Sequence, residues 1–293
     1  MTGPVDRPSG LVAPAALCAA RAYSTCVPID FESRARPLVM GVLNVTPDSF
    51  SDGGRYVDYE KALDRGLEMA AEGADIVDVG GESSRPGATP VPEAEELRRV
   101  LPVVAALAPH VRVSIDTTKP AVAREALQAG ATVLNDISAS MWQLAADAGV
   151  GWVAMHMQGT PRTMQVAPRY RDVVAEVCSF LAERARRAQD AGVPELWIDP
   201  GIGFGKTTTD NLSLLAHLGE LCSMGWPVLV GTSRKRFLGE ITPGAGGALA
   251  PVGERLEASL ATAAWAMTCG VSMVRVHDVD ATVQAAALVG CRR

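Results

Sequence analysis

Short apolar runs rich in β-branched residues alternate along the chain with longer segments whose apolar residues recur at helical spacing. The runs are Val39–Val45, Ile76–Val79, Val111–Ile115, Val133–Leu134, Trp152–Met155, Leu196–Ile198, Val228–Val230 and Met273–Val276. Continuous apolar character, without polar alternation, marks strands covered on both faces, as in a parallel sheet. The intervening periods predict helices over Tyr59–Glu72, Pro92–Leu107, Pro120–Gln128, Trp142–Ala148, Tyr170–Ala191, Asp210–Met224, Glu254–Cys269 and Asp280–Val289. Local signals support several boundaries. Gly73 stops the first helix, Glu93, Glu95 and Glu96 favour the positive end of the second, and Pro120 opens the third. Asp210 or a neighbouring threonine caps the sixth. The pattern predicts the α/β class and a single-domain (β/α)8 TIM barrel over residues 29–293. Residues 1–28, rich in Pro, Ala, Gly and Ser without a sustained period, read as a weakly ordered N-terminal extension. Ile29–Phe31 and Ala35–Leu38 would then form a short hairpin closing the bottom of the barrel.

Nearly every run stops at a residue suited to chemistry: Asn44, Gly80–Gly81 with Glu82, Asp116, Asn135, His156, Asp199, Ser233 with Lys235, and Arg275 with His277. In such barrels the active site lies at the C-terminal ends of the strands. Asp116, Asn135 and Asp199 therefore converge on one mouth, and together offer donors and acceptors to a flat heterocycle. The competing reading is a structural network between strands. Arg85, Lys235, Arg275 and His277 bring cations to the same mouth, at the end that frequently binds phosphate. Taken singly, each is a solvated charge or a cap; their convergence suggests an anion site. Asn44 is either a turn residue or one neutral oxygen ligand for magnesium carried by a phosphate. His156 is either a satisfied semi-buried histidine or a catalytic one. The segment from Asp199 to Lys206 superficially suggests a phosphate loop but lacks its spacing, so its glycines favour close backbone approach to a ring, with Phe204 as a flat contact. The polar loops Thr46–Asp58 and Glu82–Val91 are expected to act as lids. All five tryptophans read as packing residues.

Composition limits the alternatives. The chain has 293 residues, 48% hydrophobic and 20% charged, with a net charge of −6 that argues against a nucleic-acid footprint. Six scattered cysteines without a CxxC pair read as free thiols of a reducing cytosol. No apolar run is long enough to span a bilayer. Leu11–Ala20 is apolar but contains Pro14 and is followed by Arg21, against a signal peptide.

Longer motifs then carry a resemblance. Met40–Gly54 (MGVLNVTPDSFSDGG), Asp78–Ala88 (DVGGESSRPGA), Ser114–Pro120 (SIDTTKP), Leu134–Ser138 (LNDIS) and Met155–Gln165 (MHMQGTPRTMQ) resemble dihydropteroate synthases. So do Ile198–Thr207 (IDPGIGFGKT), Gly231–Gly239 (GTSRKRFLG) and Val274–Val279 (VRVHDV). The resemblance runs from about Ile29 to Val289. It implies condensation of 6-hydroxymethyl-7,8-dihydropterin diphosphate with p-aminobenzoate, giving 7,8-dihydropteroate and diphosphate in folate biosynthesis. Carried over by position, Asp116, Asn135, Asp199 and Lys235 would hold the pterin, with Asp116, Asp199 and Lys235 catalytic. Asn44, Ser84, Arg85, Arg275 and His277 would serve the diphosphate, and Asn44 would ligate Mg2+. Pro86, Phe204, Ser233 and Lys235 would border p-aminobenzoate, where sulfonamides bind in the family. Ser84 stands where threonine is common, and no insertion lies near Phe204–Thr207, so sulfonamide sensitivity is expected. A cytoplasmic homodimer with small-molecule substrates, without nucleic-acid or membrane partners, completes the expectation. A methyltetrahydrofolate-dependent methyltransferase would share the acid–amide floor but not the cation cluster. A catalytically silent paralogue would have lost motif residues.

Overall fold

The structure, a computed structural model, describes residues 36–46, 54–84 and 87–290, excluding the side chains of 54–58 and 245. The strands are β1 (Leu38–Asn44), β2 (Ile76–Gly80), β3 (Arg112–Asp116), β4 (Val133–Asp136), β5 (Gly151–Met155), β6 (Glu195–Asp199), β7 (Leu229–Val230) and β8 (Met273–Val276). All pair in parallel, in the order β6-β5-β4-β3-β2-β1-β8-β7. A parallel bridge between Ile198 and Val228, with Ile198 N–H donating to Pro227 O at 2.9 Å, brings the two ends together. The sheet is thus a nearly closed eight-stranded barrel, as the run-and-period pattern predicts.

Helices α1 (Gly54–Ala71), α2 (Glu93–Leu107), α3 (Pro120–Gln128), α4 (Trp142–Ala148) and α5 (Val173–Asp190) follow the first five strands. After β6 come α6 (Thr208–Ala216) and α7 (Leu218–Cys222); after β7 come α8 (Arg236–Ile241) and α9 (Leu256–Thr268); α10 (Val279–Val289) closes the chain. Strand residues facing the helices, among them Val39, Val77, Val113, Leu134, Ala154 and Val274, join the large outer core. The opposite faces of the strands form a separate apolar cluster inside the barrel, built from Met40, Ile76, Val133, Val153, Trp197, Leu229 and Met273. This inner layer is a plug, and polar residues one step further along the strands rest on top of it.

Several boundaries differ from the sequence reading. Helix α1 begins at Gly54, so the polar stretch Thr46–Asp58 is partly helical. The predicted helix Asp210–Met224 divides at His217, whose φ of −108° departs from helical geometry. Thr207 caps α6, in a reciprocal capping box with Asp210. The short helix α8 was not foreseen. Trp265 is corrected from a packing residue: it is 52% exposed, its Nε1 donating to Leu215 O at 2.8 Å. A helix as rich in alanine as α9 is too weakly amphipathic for periodicity to assign its outer face. The N-terminal extension and the hairpin residues up to 35 lie outside the described residues. Among the described residues, Cys178 and Cys269 are free thiols. Among the described residues, no helix is long and apolar enough to cross a membrane.

Candidate active site

Parallel register sets one row of residues across the mouth: Asn44 aligns with Gly80, Gly80 with Asp116, and Asp116 with Asn135. Strand alternation then separates neighbours. Asn135 points into the barrel while Asp136 faces away, where its carboxylate accepts from the backbone N–H groups of Ser138, Ser140 and Met141. Asp116 points in, whereas Thr117 turns outward and donates to Glu96 at 2.7 Å.

At the centre of the floor lies Asp78, on β2. Its Oδ2 accepts from Asn135 Nδ2 at 2.9 Å and from Arg275 Nε at 2.6 Å. Arg275 also donates through its second terminal nitrogen to Asp116 Oδ2 at 2.8 Å. Arg275 therefore braces the acidic floor from within, besides whatever anion it meets. Sequence reading missed Asp78, although a carboxylate in the middle of the apolar run Ile76–Val79 is itself a signal, since an unpaired charge there would be expensive. Asp78 Oδ1 and the Oγ of its register partner Ser114 are buried without a hydrogen-bond partner among the described atoms. Unpaired buried polar atoms cost about 1–3 kcal/mol each, so these two groups stand as a local cost beneath the floor. Burial pushes the Asp116 carboxyl up to about 7, with Asp78 adding to the rise and Arg275 opposing it. Burial also raises Asp199, against the pull of Lys235.

The opposite side of the mouth is built from β6, β7 and β8. Asp199 Oδ1 accepts from Gly201 N–H at 2.7 Å, which turns the chain sharply after β6. Only glycine fits there: Gly201 has φ +64°, and a Cβ would stand 1.9 Å from His156 O. The loop brings Ile202 O to Lys235 Nζ, which donates to it, and the Phe204 ring centroid lies 4.7 Å from the same ammonium. Burial pulls Lys235 down to about 8 while Asp199 pulls it up. Ser233 Oγ accepts from His277 N–H at 3.1 Å and lies 3.1 Å from His277 Nδ1, an arrangement in which its own proton serves the ring nitrogen.

The structure thus draws Asp116, Asn135 and Arg275 into one hydrogen-bonded cluster through Asp78. It gathers Asp199, Phe204 and Lys235 into a second group, and Ser233 with His277 into a third. Asn44 and Ser84 are half-buried at the ends of β1 and in the loop after β2. Arg85 and Pro86, both expected in the site, lie outside the described residues. Glu82 pairs with Lys119, which also holds the buried Glu96, so it supports the base of the second loop. His156 is the satisfied histidine of the two readings: it is buried edge-on to Phe180, and its Nδ1 lies 3.0 Å from Lys206 Nζ.

Carboxylates and an amide on a buried floor, flanked by cations and an aromatic face, define a (β/α)8 barrel enzyme that takes a flat polar ring with an anionic tail. Comparison with known proteins narrows that class. Residues 40–277 match the family described as pterin binding enzyme. The dihydropteroate synthase of Mycobacterium leprae (strain TN) is 51% identical over 262 residues, covering 86% of this chain and 92% of that protein. Xanthomonas albilineans dihydropteroate synthase, solved with 4-aminobenzoic acid, superposes with a TM-score of 0.79 at 49% identity, covering 86% of this chain and 92% of that one. The Yersinia pestis dihydropteroate synthase, in a sulfonamide drug complex, gives a TM-score of 0.79 at 43% identity, covering 90% and 96%. The chain belongs to the pterin binding enzyme family, within its dihydropteroate synthase group.

Proposed function

We propose that this chain is a transferase of folate biosynthesis that joins 6-hydroxymethyl-7,8-dihydropterin diphosphate to p-aminobenzoate, releasing diphosphate and 7,8-dihydropteroate. One observation carries the reading: three carboxylates, Asp78, Asp116 and Asp199, share the mouth with two cations, Arg275 and Lys235. The carboxylates lie where a bicyclic ring would rest, and the excess of negative charge favours a ring that becomes cationic.

In the proposed reaction the bond between the exocyclic methylene and the diphosphate oxygen breaks, and its electron pair leaves with diphosphate. Positive charge then spreads into the pterin, where Asp116 and Asp199 stabilise it as fixed charges aimed at the developing cation. Asn135 and Asp78 orient the ring through its amino and lactam edges. Ser84, Arg85 and His277 serve the departing diphosphate, with Arg275 linking that end to the acid floor. The amine of p-aminobenzoate, held between Phe204, Pro86, Ser233 and the Lys235 ammonium, attacks the methylene and afterwards loses a proton to solvent. No covalent enzyme intermediate is needed.

Magnesium fits as a passenger of the substrate. Among the described residues, no group of three or more His, Cys, Asp or Glu side chains could hold a metal ion, whereas Asn44 supplies a single neutral oxygen at the mouth. Magnesium commonly accepts one or two protein oxygens with phosphate and water completing its shell. Bound with the diphosphate, it would neutralise part of the charge on the leaving group.

The same p-aminobenzoate pocket is proposed to bind sulfonamides competitively. The free thiols suit the cytoplasm. The exposed apolar residues Leu212 on α6, Ile241 on α8 and Trp265 on α9 would join two copies as a homodimer. The decisive experiment follows diphosphate release and 7,8-dihydropteroate formation with and without p-aminobenzoate, and with magnesium or a chelator. Release without incorporation of p-aminobenzoate, or no release at all, would overturn the assignment.

A further inference from the structure

Lys206 ends the glycine-rich loop after β6, yet its side chain turns inward and is only 2% exposed. A buried ammonium is expensive unless its donors are all used. Here Nζ lies 3.0 Å from His156 Nδ1, 3.3 Å from His156 O, 3.0 Å from Gly201 O and 3.1 Å from Phe204 O. Two acceptors belong to the residue that follows β5 and two to the loop that follows β6. One charge therefore ties two segments of the mouth together. Burial and the neighbouring Lys206 charge hold His156 far below its ordinary range, at about 3, so its imidazole is neutral and Nδ1 accepts. Burial also draws Lys206 down to about 7, but four acceptors around three N–H bonds form a cage suited to the ammonium.

The stretch gripped by Lys206 is the one that holds Lys235. Between the carbonyls of Gly201 and Phe204 lies Ile202 O, which accepts from Lys235 Nζ, and the Phe204 ring packs under that same ammonium. Further ties to the loop come from Asn211 Oδ1 to Gly203 N–H (2.7 Å), Gln165 to Gly203 O (2.8 Å) and Tyr170 to Gly205 O (2.7 Å). Of these, the Gln165 bond is exposed and the other two are partly buried, whereas the Lys206 bonds to His156 and Gly201 are buried. We infer that Lys206 is a positioning residue for the p-aminobenzoate end of the site, fixing the Gly201–Gly205 loop so that Phe204 and Lys235 face the incoming amine. This inference rests on the functional reading above.

The test uses the full chain and three variants, Lys206→Met, Phe204→Ala and their combination, with both KM values and kcat measured. Lys206→Met is expected to raise KM for p-aminobenzoate about tenfold, since sub-ångström misplacement of a binding group weakens its use. The KM for dihydropterin diphosphate should move less, by under about threefold, because Asp116, Asn135 and Asp78 are held by other strands and only Asp199 and Lys235, of the groups placed on that ring, touch this loop. In the Phe204→Ala background the Lys206→Met effect should largely vanish, the non-additivity expected of residues acting through one another. Equal losses for both substrates, additive effects, or an unchanged KM for p-aminobenzoate would overturn the inference. Should Lys206→Met lose its cooperative melting transition, His156→Leu removes one acceptor and is expected to raise the same KM about threefold; no change there would be equally fatal. A wild-type chain that formed no 7,8-dihydropteroate would overturn both readings, whereas an active wild type with an indifferent Lys206 would overturn this one alone.

Discussion

Asp116 stands between opposing demands, since burial pushes its proton on while the Arg275 guanidinium at 2.8 Å holds it off. Charge stabilisation of a pterin cation needs the ionised form. Asp116→Asn keeps the shape and removes the charge, so kcat should fall about 100- to 1,000-fold, with the melting temperature little changed. Steady-state kinetics beside thermal unfolding check this, and undiminished turnover would refute the electrostatic role. Lys235 sets the opposite limb of the pH dependence. With its pKa lowered to about 8, it carries its charge below that pH and loses it above. The carboxylate of Asp116 forms as pH rises through about 7. The profile of kcat/KM should therefore rise through about 7 and decline through about 8. Lys235→Arg stays protonated, so its alkaline limb should move to higher pH even if turnover is lower. A limb that stays at the same pH in that variant would assign it elsewhere.

Among the elements, the loop after β6 is the most constrained. It turns at once after Asp199, approaches the backbone of His156, and carries positive φ at Gly201, Gly203 and Gly205. Gly201→Ala would force a Cβ against a backbone carbonyl that cannot withdraw without unpairing β5. Unfolding free energy in denaturant should drop by about 2–4 kcal/mol, with p-aminobenzoate binding lost before pterin binding. A variant as stable as the wild type would mean that the loop relaxes freely. The loop after β2 is supported differently. Its base is fastened from two sides, by Lys119 on Glu82 and by Arg99 donating to Gly81 O at 3.0 Å. That support fixes the chain on the approach to Ser84.

Considered whole, the barrel separates stability from chemistry along its axis. The apolar plug of Met40, Ile76, Val133, Val153, Trp197, Leu229 and Met273 closes the interior, with the acid floor above it and the Arg112–Glu195 ion pair, its guanidinium over the Trp197 ring, below it. On the outside, α6 and α9 touch through Trp265 Nε1 and Leu215 O, which fixes the exposed indole against α6. An exposed tryptophan held rigid in this way is a low-entropy anchor for association. Trp265→Glu is expected to convert the proposed homodimer into a monomer while sparing the mouth, as light scattering coupled to size exclusion would detect. A wild-type chain that elutes as a monomer at micromolar concentration would reject the dimer.

Strand runs, helical periods and the polar residue closing each run were legible along the chain because burial on both faces of a parallel strand leaves a continuous apolar stretch that ends where solvent or substrate begins. From these came the barrel, its mouth, and the shared placement of Asp116, Asn135, Asp199, Lys235 and Arg275. Pairings across the barrel were beyond reach. Arg275 meets Asp78 across 197 positions of sequence, and Lys206 meets His156 across 50. No period encodes such contacts. Closure of the sheet decides them, by bringing β8 beside β1 and setting the shear that brings β2, β3 and β8 side chains to one level. Asp78 and Lys206 were overlooked for the same reason: a charge inside an apolar run, or at the end of a glycine loop, acquires its meaning from partners that only the folded barrel supplies.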